Sequence, residues 1–420
     1  MVLEKAKIGQ LKGIRNTRNL PIASVLLILS ALHFYSLGVL RVGEIKIAPW
    51  DIVTLVLALW WMMVMIRTPI RLDRYFLISL VCLIIFSLWV GIEALRSPQE
   101  GRGLTMFVQQ IRNLIIFIIV GTSLRLLKDF RQLNMVVFAL GAVIALISVP
   151  LFAASIRNLP TILVTPSLWY PEIGYTLSQG IPRLKGFAGD PNFYSIWISI
   201  SLFTGINNAP KSYSKLVLIA TIGLSILLAA SRTLLIMLIF SIVILVIIIA
   251  FSRRERPSLA KYLKVMLPGT FLVIGAGFLW SILESNVWGE LAKRFQLTAS
   301  APRFEMWRLL IERGLDNVFF GKGLRGAEEL LSGTYSHNSY LDLLVETGLI
   351  GFLIWSFFAF IVTSCALRRI DEQSLIPWVQ CWILLIGVLA AFSLIYSPFL
   401  WVVAAVILSC PSTRENNARH

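Results

Sequence analysis

In the stretch YSHNSYLDLLVETGLIG (335–351) a histidine and an asparagine stand side by side just before a long apolar run. Imidazole has an ordinary pKa near neutrality, so His337 can take or give a proton at working pH. The chain has three histidines in all; His420 is terminal, and His33 lies in the first apolar run. Position alone also allows His337 to be a capping or interfacial residue. Arginines stand at three comparable junctions: Arg183 in RLKGFAGDPNFYS (183–195), Arg232 in SRT (231–233), and Arg303 in RFEMWRLLIERGL (303–315). The planar guanidinium fork suits a diphosphate, because it makes paired charge-assisted hydrogen bonds. The alternative for each arginine is snorkelling to lipid head groups. Asp190-Pro191 reads as a helix N-cap followed by proline in the first turn.

The rest of the chain must hold these residues, and it is built for a bilayer. Of 420 residues 57% are hydrophobic and only 14% charged, too apolar for a soluble domain. Apolar runs of about 20 residues recur along nearly the whole length, each close to a membrane span. They predict an all-α, polytopic membrane helix bundle of about twelve transmembrane helices in one domain, residues 1–420. The spans fall at 21–40, 48–66, 75–95, 104–122, 133–153, 190–207, 215–230, 233–251, 263–283, 338–366, 375–392 and 396–410. The basic N-terminus before the first run resembles a signal sequence, but no small-x-small cleavage site follows, so that helix is expected to stay. Two segments do not fit in the membrane: a Pro/Gly/Ser-rich loop at 154–189 and a polar loop at 284–337. Within the second, Phe304, Trp307, Leu310 and Ile311 form one apolar stripe, suggesting a helix that lies on the membrane or caps the bundle. The four cysteines lie in or at the ends of apolar runs without CxxC spacing, which argues against disulfides and metal sites.

Charge sets the expected orientation. With the N-terminus in the cytoplasm, the cytoplasmic segments carry 22 Lys and Arg against 7 acidic residues, nearly all of the net +16. The 284–337 loop balances seven basic against seven acidic residues. This is the positive-inside pattern, so a pI of about 10.0 reports topology and does not argue for nucleic-acid binding. Both termini are then cytoplasmic and both long loops periplasmic. His337, Arg183, Arg232 and Arg303 all approach the outer surface.

The pattern H-N-x-x-L-x4-E-x-G, filled by His337, Asn338, Leu341, Glu346 and Gly348, resembles the signature of the O-antigen ligase/polymerase family. RLKGFAGDPN, the SR between two helices, and the Arg303–Trp307 segment also resemble that family, in matching order over about residues 180–350. The resemblance implies an integral-membrane glycosyltransferase of C-type fold in the bacterial inner membrane. Its donor would be an undecaprenyl-diphosphate-linked polysaccharide, and its acceptor lipid A-core or another glycan. It implies an inverting, metal-independent reaction without a cofactor. By position, His337, with Asn338, would orient or deprotonate the acceptor hydroxyl, while Arg183, Arg232 and, less directly, Arg303 would hold the diphosphate. Ligation of O-antigen to lipid A-core is favoured by the compact chain. O-antigen or exopolysaccharide polymerisation and protein glycosylation share the motifs. Outside the family, a lipid-linked oligosaccharide transporter is the rival, but transporters gather binding groups near mid-membrane.

One intramembrane charge remains. Arg112 lies about eight residues into the fourth span, and a lone charge there demands a partner. Glu346 lies at a similar depth, nine residues past His337 and roughly opposite it on its helix. This predicts a structural Arg112–Glu346 ion pair, with Asp51 and Glu93 as shallower rivals. Orientation is tested by cysteine labelling. A cysteine placed in 284–337 should react with a membrane-impermeant thiol reagent in intact spheroplasts, and one in 253–264 only after lysis. The reverse pattern would overturn the topology.

Overall fold

A computed structural model describes residues 23–25, 27–29, 40–42, 45–47, 49–67, 72–127, 130–157, 174–178, 181–188, 190–207, 212–229, 232–251, 301–370 and 372–410. The span expected at 263–283 and most of that at 21–40 lie outside the described residues. A hairpin of β1 (Leu40–Val42) and β2 (Ile45–Ile47) precedes α1 (Pro49–Arg67), α2 (Arg74–Leu95), α3 (Glu100–Leu124) and α4 (Phe130–Arg157). Then come β3 (Gly174–Ser178), β4 (Ile181–Gly186), α5 (Pro191–Asn207), α6 (Tyr213–Leu228) and α7 (Arg232–Phe251). After residue 300 the elements are α8 (Ala301–Gly314), α9 (Gly326–Leu330), α10 (Ser339–Arg368), α11 (Ile376–Val388) and α12 (Pro398–Ser409).

The molecule is an all-α membrane protein. Among the described residues, four helices are long and apolar enough to cross a bilayer: α2, α3 from Gly101, α4 to Ala154, and α10. Shorter apolar helices lie within α1, α6, α7, α11 and α12. The loop expected at 154–189 contains a β-hairpin that composition did not predict. β3 and β4 pair antiparallel, with Thr176 opposite Arg183 and an irregularity at Gly174/Tyr175.

Two helix groups meet where α11 packs on α12. In one, α2 packs on α3 and α10, and α3 on α1 and α12; in the other, α4 packs on α5 and α6, and α11 on α5 and α7. From Phe399 to Leu408 every residue of α12 is buried, so this all-apolar helix forms the centre of the core. The lipid-type surface lies elsewhere, for example at Leu88, Leu95, Leu353 and Phe360, which are exposed. All four cysteines are buried, and none is in a disulfide with a described residue.

The two ends of the bundle are chemically distinct. At one, Arg369 Nη2 pairs with Asp73 at 2.9 Å, and Arg125 and Arg369 donate to carbonyls at the C-terminus of α12, Leu408 and Ile407. Cations there oppose the negative pole of the helix dipole. At the other end α10 begins, and it is broken: Gly348 has φ 66°, ψ −173° inside the helix. The break removes intrahelical partners from the backbone around it, and the segment 318–323 replaces them. Lys322 and Gly323 N–H groups donate to the carbonyls of Val345 (2.8 Å) and Glu346 (3.1 Å). Val318 and Phe319 carbonyls accept from Leu349 (2.7 Å) and Ile350 (3.3 Å). A Cβ on Gly348 would lie 2.2 Å from the Phe319 oxygen, so the docking requires glycine there. From α2, Arg96 donates to the carbonyls of Phe320 and Gly321, both at 3.2 Å, while both oxygens of Glu93 hold Arg96 at 2.9 Å.

This docked segment explains a correction. Arg112 pairs with Asp51 at 2.5 Å, joining α3 to α1, and does not pair with Glu346 as expected. The cation beside Glu346 is Arg325, which is also the residue that opens α9. Counting depth along α10 presumed that the large loop stays above the helix; instead it descends to Val345–Ile350 and brings its own arginine. Breaking a pair by removing one member costs about 3–5 kcal/mol when it is buried, while removing both costs less. Arg112→Leu and Asp51→Leu should therefore each lower thermal stability in detergent, and the double variant should recover much of the loss. Arg112→Leu and Glu346→Leu should combine additively. Recovery in that second pair would restore the original assignment.

Candidate functional site

The site end is assembled from four separate parts of the chain. On β4, Arg183 is fixed by donating Nε to the Ala229 carbonyl (2.8 Å) and Nη2 to Asn192 Oδ1 (3.0 Å). It thus ties the hairpin to the end of α6 and the start of α5. Asp190 caps α5: its Oδ1 accepts from the backbone N–H of Asn192 (2.7 Å) and Phe193 (3.3 Å). With Pro191 as the first helical residue, this is the capping arrangement read from the sequence. Arg232 opens α7 three residues beyond the carbonyl that Arg183 holds; its side chain lies outside the described set.

The third part is α8, which carries Arg303 near its start. The expected apolar stripe divides in two. Leu310 is buried in a satellite core with Ala327, Leu331 and Val345, whereas Phe304 (62% exposed) and Ile311 (51%) face outward. The helix therefore caps α9 and α10 with one half of the stripe and leaves the other half, together with exposed Phe319 and Phe320, as an apolar surface. Trp307 has a second task that apolar periodicity could not reveal: its Nε1 donates to the Ser336 carbonyl at 2.8 Å.

His337 is the fourth part. Its backbone is left-handed, at φ 55°, an uncommon conformation for a residue other than glycine. The residues on either side hold it there. Ser336 Oγ accepts from Asn338 N–H (2.9 Å) and reaches the Asn338 carbonyl (3.1 Å). Asn338 is the N-cap of α10, its Oδ1 accepting from Tyr340 N–H (3.1 Å) and Leu341 N–H (3.2 Å). The asparagine expected to share in the chemistry is thus engaged in positioning, because a helix N-terminus needs an acceptor for its first N–H groups. Ser339 anchors the same turn, its N–H donating to Leu389 carbonyl at 2.8 Å and its Oγ accepting from Leu394 N–H at 2.7 Å.

The imidazole makes no hydrogen bond to a described residue. Burial pushes the His337 pKa below its ordinary value, Arg303 lowers it further, and Asp190 acts the opposite way. These influences bring Arg303 and the start of α5 into one electrostatic neighbourhood with His337, as the sequence suggested. A neutral imidazole beside a guanidinium is equipped to accept a proton at neutral pH. Among the described residues no three His, Cys, Asp or Glu side chains converge as metal ligands.

Residues 216–356 match the family model described as O-antigen ligase. The match covers 141 of the 420 residues, and over that segment the chain is similar to the O-antigen ligase family. No curated protein matches it. The O-antigen ligase match runs from α6 to the second half of α10, taking in Arg232, Arg303, His337 and the Gly348 break, while Arg183, Asp190 and Arg112 lie before it. Within the O-antigen ligase segment, Arg325, Glu328 and Ser336 also shape the site, and sequence spacing gave no sign of them.

The electrostatics of His337 are testable by NMR, since the chain has three histidines. With histidine-labelled protein, His337 should titrate below the ordinary ~6.5, and Arg303→Gln should move its midpoint upward. Between that lowered midpoint and ~6.5 the unfolded chain binds the extra proton, so His337 should reduce stability as pH falls through this window. A midpoint above the ordinary value would contradict the buried, arginine-flanked imidazole.

Proposed function

We propose that this chain is a member of the O-antigen ligase family and transfers a glycan from a polyprenyl diphosphate to an acceptor hydroxyl, most specifically O-antigen to lipid A-core. The reaction takes place at the periplasmic side of the bacterial inner membrane, on a C-type scaffold of about twelve spans with both termini cytoplasmic. The observation that carries the reading is the neutral, strained His337 beside Arg303, inside the segment that matches the family.

In this reading the acceptor O–H lies against the His337 imidazole. Its oxygen attacks the anomeric carbon as the proton passes to the ring nitrogen. The bond from that carbon to the diphosphate oxygen breaks, and the diphosphate departs with the electron pair, inverting the centre. Arg232 and Arg303 stabilise the charge growing on the diphosphate, and Arg183 flanks them while bracing the α6–α7 connection. Preorganised cationic donors perform here the task a metal ion performs elsewhere, so the enzyme works without metal or cofactor. The periplasmic loops, 154–189 and 284–337, supply Arg183 and the Arg303–His337 cluster.

Purified protein assayed with lipid-linked donor and glycan acceptor should lose transfer in His337→Ala while remaining inserted and able to bind donor. Arg232→Ala and Arg303→Ala should each slow transfer by about 10²–10³, the usual effect of removing one preorganised donor. Lysine at either position should rescue poorly, because a point charge does not reproduce paired hydrogen bonds, and EDTA should leave the rate unchanged. Wild-type rates in His337→Ala would refute the assignment. In a deletion strain, free core with accumulated lipid-linked polymer indicates ligation, whereas core bearing one repeat indicates polymerisation.

A further inference from the structure

Two residues before His337 stands a tyrosine whose support is out of proportion to its burial. Tyr335 is 50% exposed, so its ring adds little to the core. Yet Arg325 Nη1 donates to its hydroxyl at 3.1 Å, and the same guanidinium lies 5.6 Å from the ring centroid. Arg325 is itself fixed. Its Nη1 pairs with Glu328 Oε2 at 2.6 Å, the Glu346 carboxylate lies against its backbone N–H, and its φ is 67°. Glu328 is 6% exposed and is held from the other side by Arg102 at 3.0 Å. Burying carboxylates and a guanidinium is costly and contributes little net stability. Here the cost orders one exposed aromatic face next to the candidate base.

We propose that Tyr335 is the stacking platform for a sugar ring of the acceptor glycan, with Arg325 fixing the ring from behind. The inference rests on the glycosyl-transfer reading and deepens it. A pyranose presents a face of C–H bonds that packs against the electron-rich face of an aromatic ring. Tyrosine provides that contact with little rotamer entropy to lose, and less still once its hydroxyl is anchored. In the transfer reading Arg303 is assigned to the diphosphate, whereas Tyr335 is held by Arg325 and, through it, by Glu328. The Tyr335 platform therefore belongs to the partner that His337 deprotonates. A tyrosine that merely marked the membrane interface would need none of this ionic support.

The test uses detergent-solubilised full-length protein carrying His337→Ala, so that no turnover intervenes. Core oligosaccharide released from lipopolysaccharide and a repeat-unit oligosaccharide are each titrated by saturation-transfer NMR. Tyr335→Ala should weaken binding of one of them roughly tenfold, the scale of a lost aromatic contact. Tyr335→Phe should retain most of the binding, and both variants should keep the melting temperature. In the active enzyme, Tyr335→Ala should raise KM for acceptor and leave KM for donor unchanged. Unaltered oligosaccharide binding in Tyr335→Ala, no saturation of either oligosaccharide by the parent protein, or a rise in donor KM alone would each overturn the proposal. Tyr335-dependent binding in a protein that transfers from no donor would sustain the glycan site and sink the transfer reading.

Discussion

A backbone break in a membrane helix is tolerated only where something other than lipid completes its hydrogen bonds. In this chain that something is residues 318–323, and much of the site end follows from it. Leaving the freed N–H and C=O groups of 345–350 unpaired in an apolar surround would cost several kcal/mol. The loop and α10 are therefore bound to one another along four backbone bonds. Fixing Gly323 beside Glu346 fixes Arg325, the N-cap of α9, two residues later, and with it Glu328 and the approach to His337. Glu93 and Arg96 on α2 extend the joint to a third element, and Trp89 adds a bond from its indole to the Thr347 carbonyl at 2.8 Å.

Electrostatics divides the bundle in a matching way. At the far end two arginines share one aspartate and the carbonyls of α12, leaving excess positive charge on short connections. At the site end positive charge is spent on internal carboxylates: Arg96 on Glu93, Arg325 and Arg102 on Glu328, Arg112 on Asp51. The balanced charge of the 284–337 loop is thus partly a set of internal pairs. Near-neutrality there accompanies the folding of residues 301–337 against the bundle, where Arg325 meets Glu328 and Lys322 meets Asp316.

The sequence announced the helices that bury an apolar face, because hydrophobic runs and caps are local signals. Residues 190–207, 215–230 and 396–410 were expected as helices, and α5, α6 and α12 lie within two residues of those bounds. The gathering of Arg303, Asp190 and His337 was legible for a related reason: each stands at a helix end, and chain order places those ends on one side. Long-range pairing left no such trace. Nothing local says that β3 and β4 pair within a Pro/Gly/Ser-rich loop. Nor does spacing say that Asp51, 61 residues from Arg112, outcompetes Glu346 as its partner. Depth along one helix ranks partners correctly only when every neighbour begins at the membrane surface, and the descending loop violates that premise.

The motif around His337 can be resolved letter by letter. Asn338 caps α10, Leu341 packs against the satellite core beneath α8, Glu346 steadies the start of α9, and Gly348 admits the loop. Each of these has a structural occupation that would justify its type in a protein with no chemistry at all. His337 has none: its imidazole bonds to no described residue, and its left-handed backbone would be cheaper as glycine or asparagine. A side chain that costs conformational energy, contributes no bond to the fold and is kept neutral beside an arginine is best explained by what it does to a bound molecule. The strain is maintained by Ser336, Asn338 and Trp307, so the surrounding structure over-determines the histidine's position, as strained functional residues require.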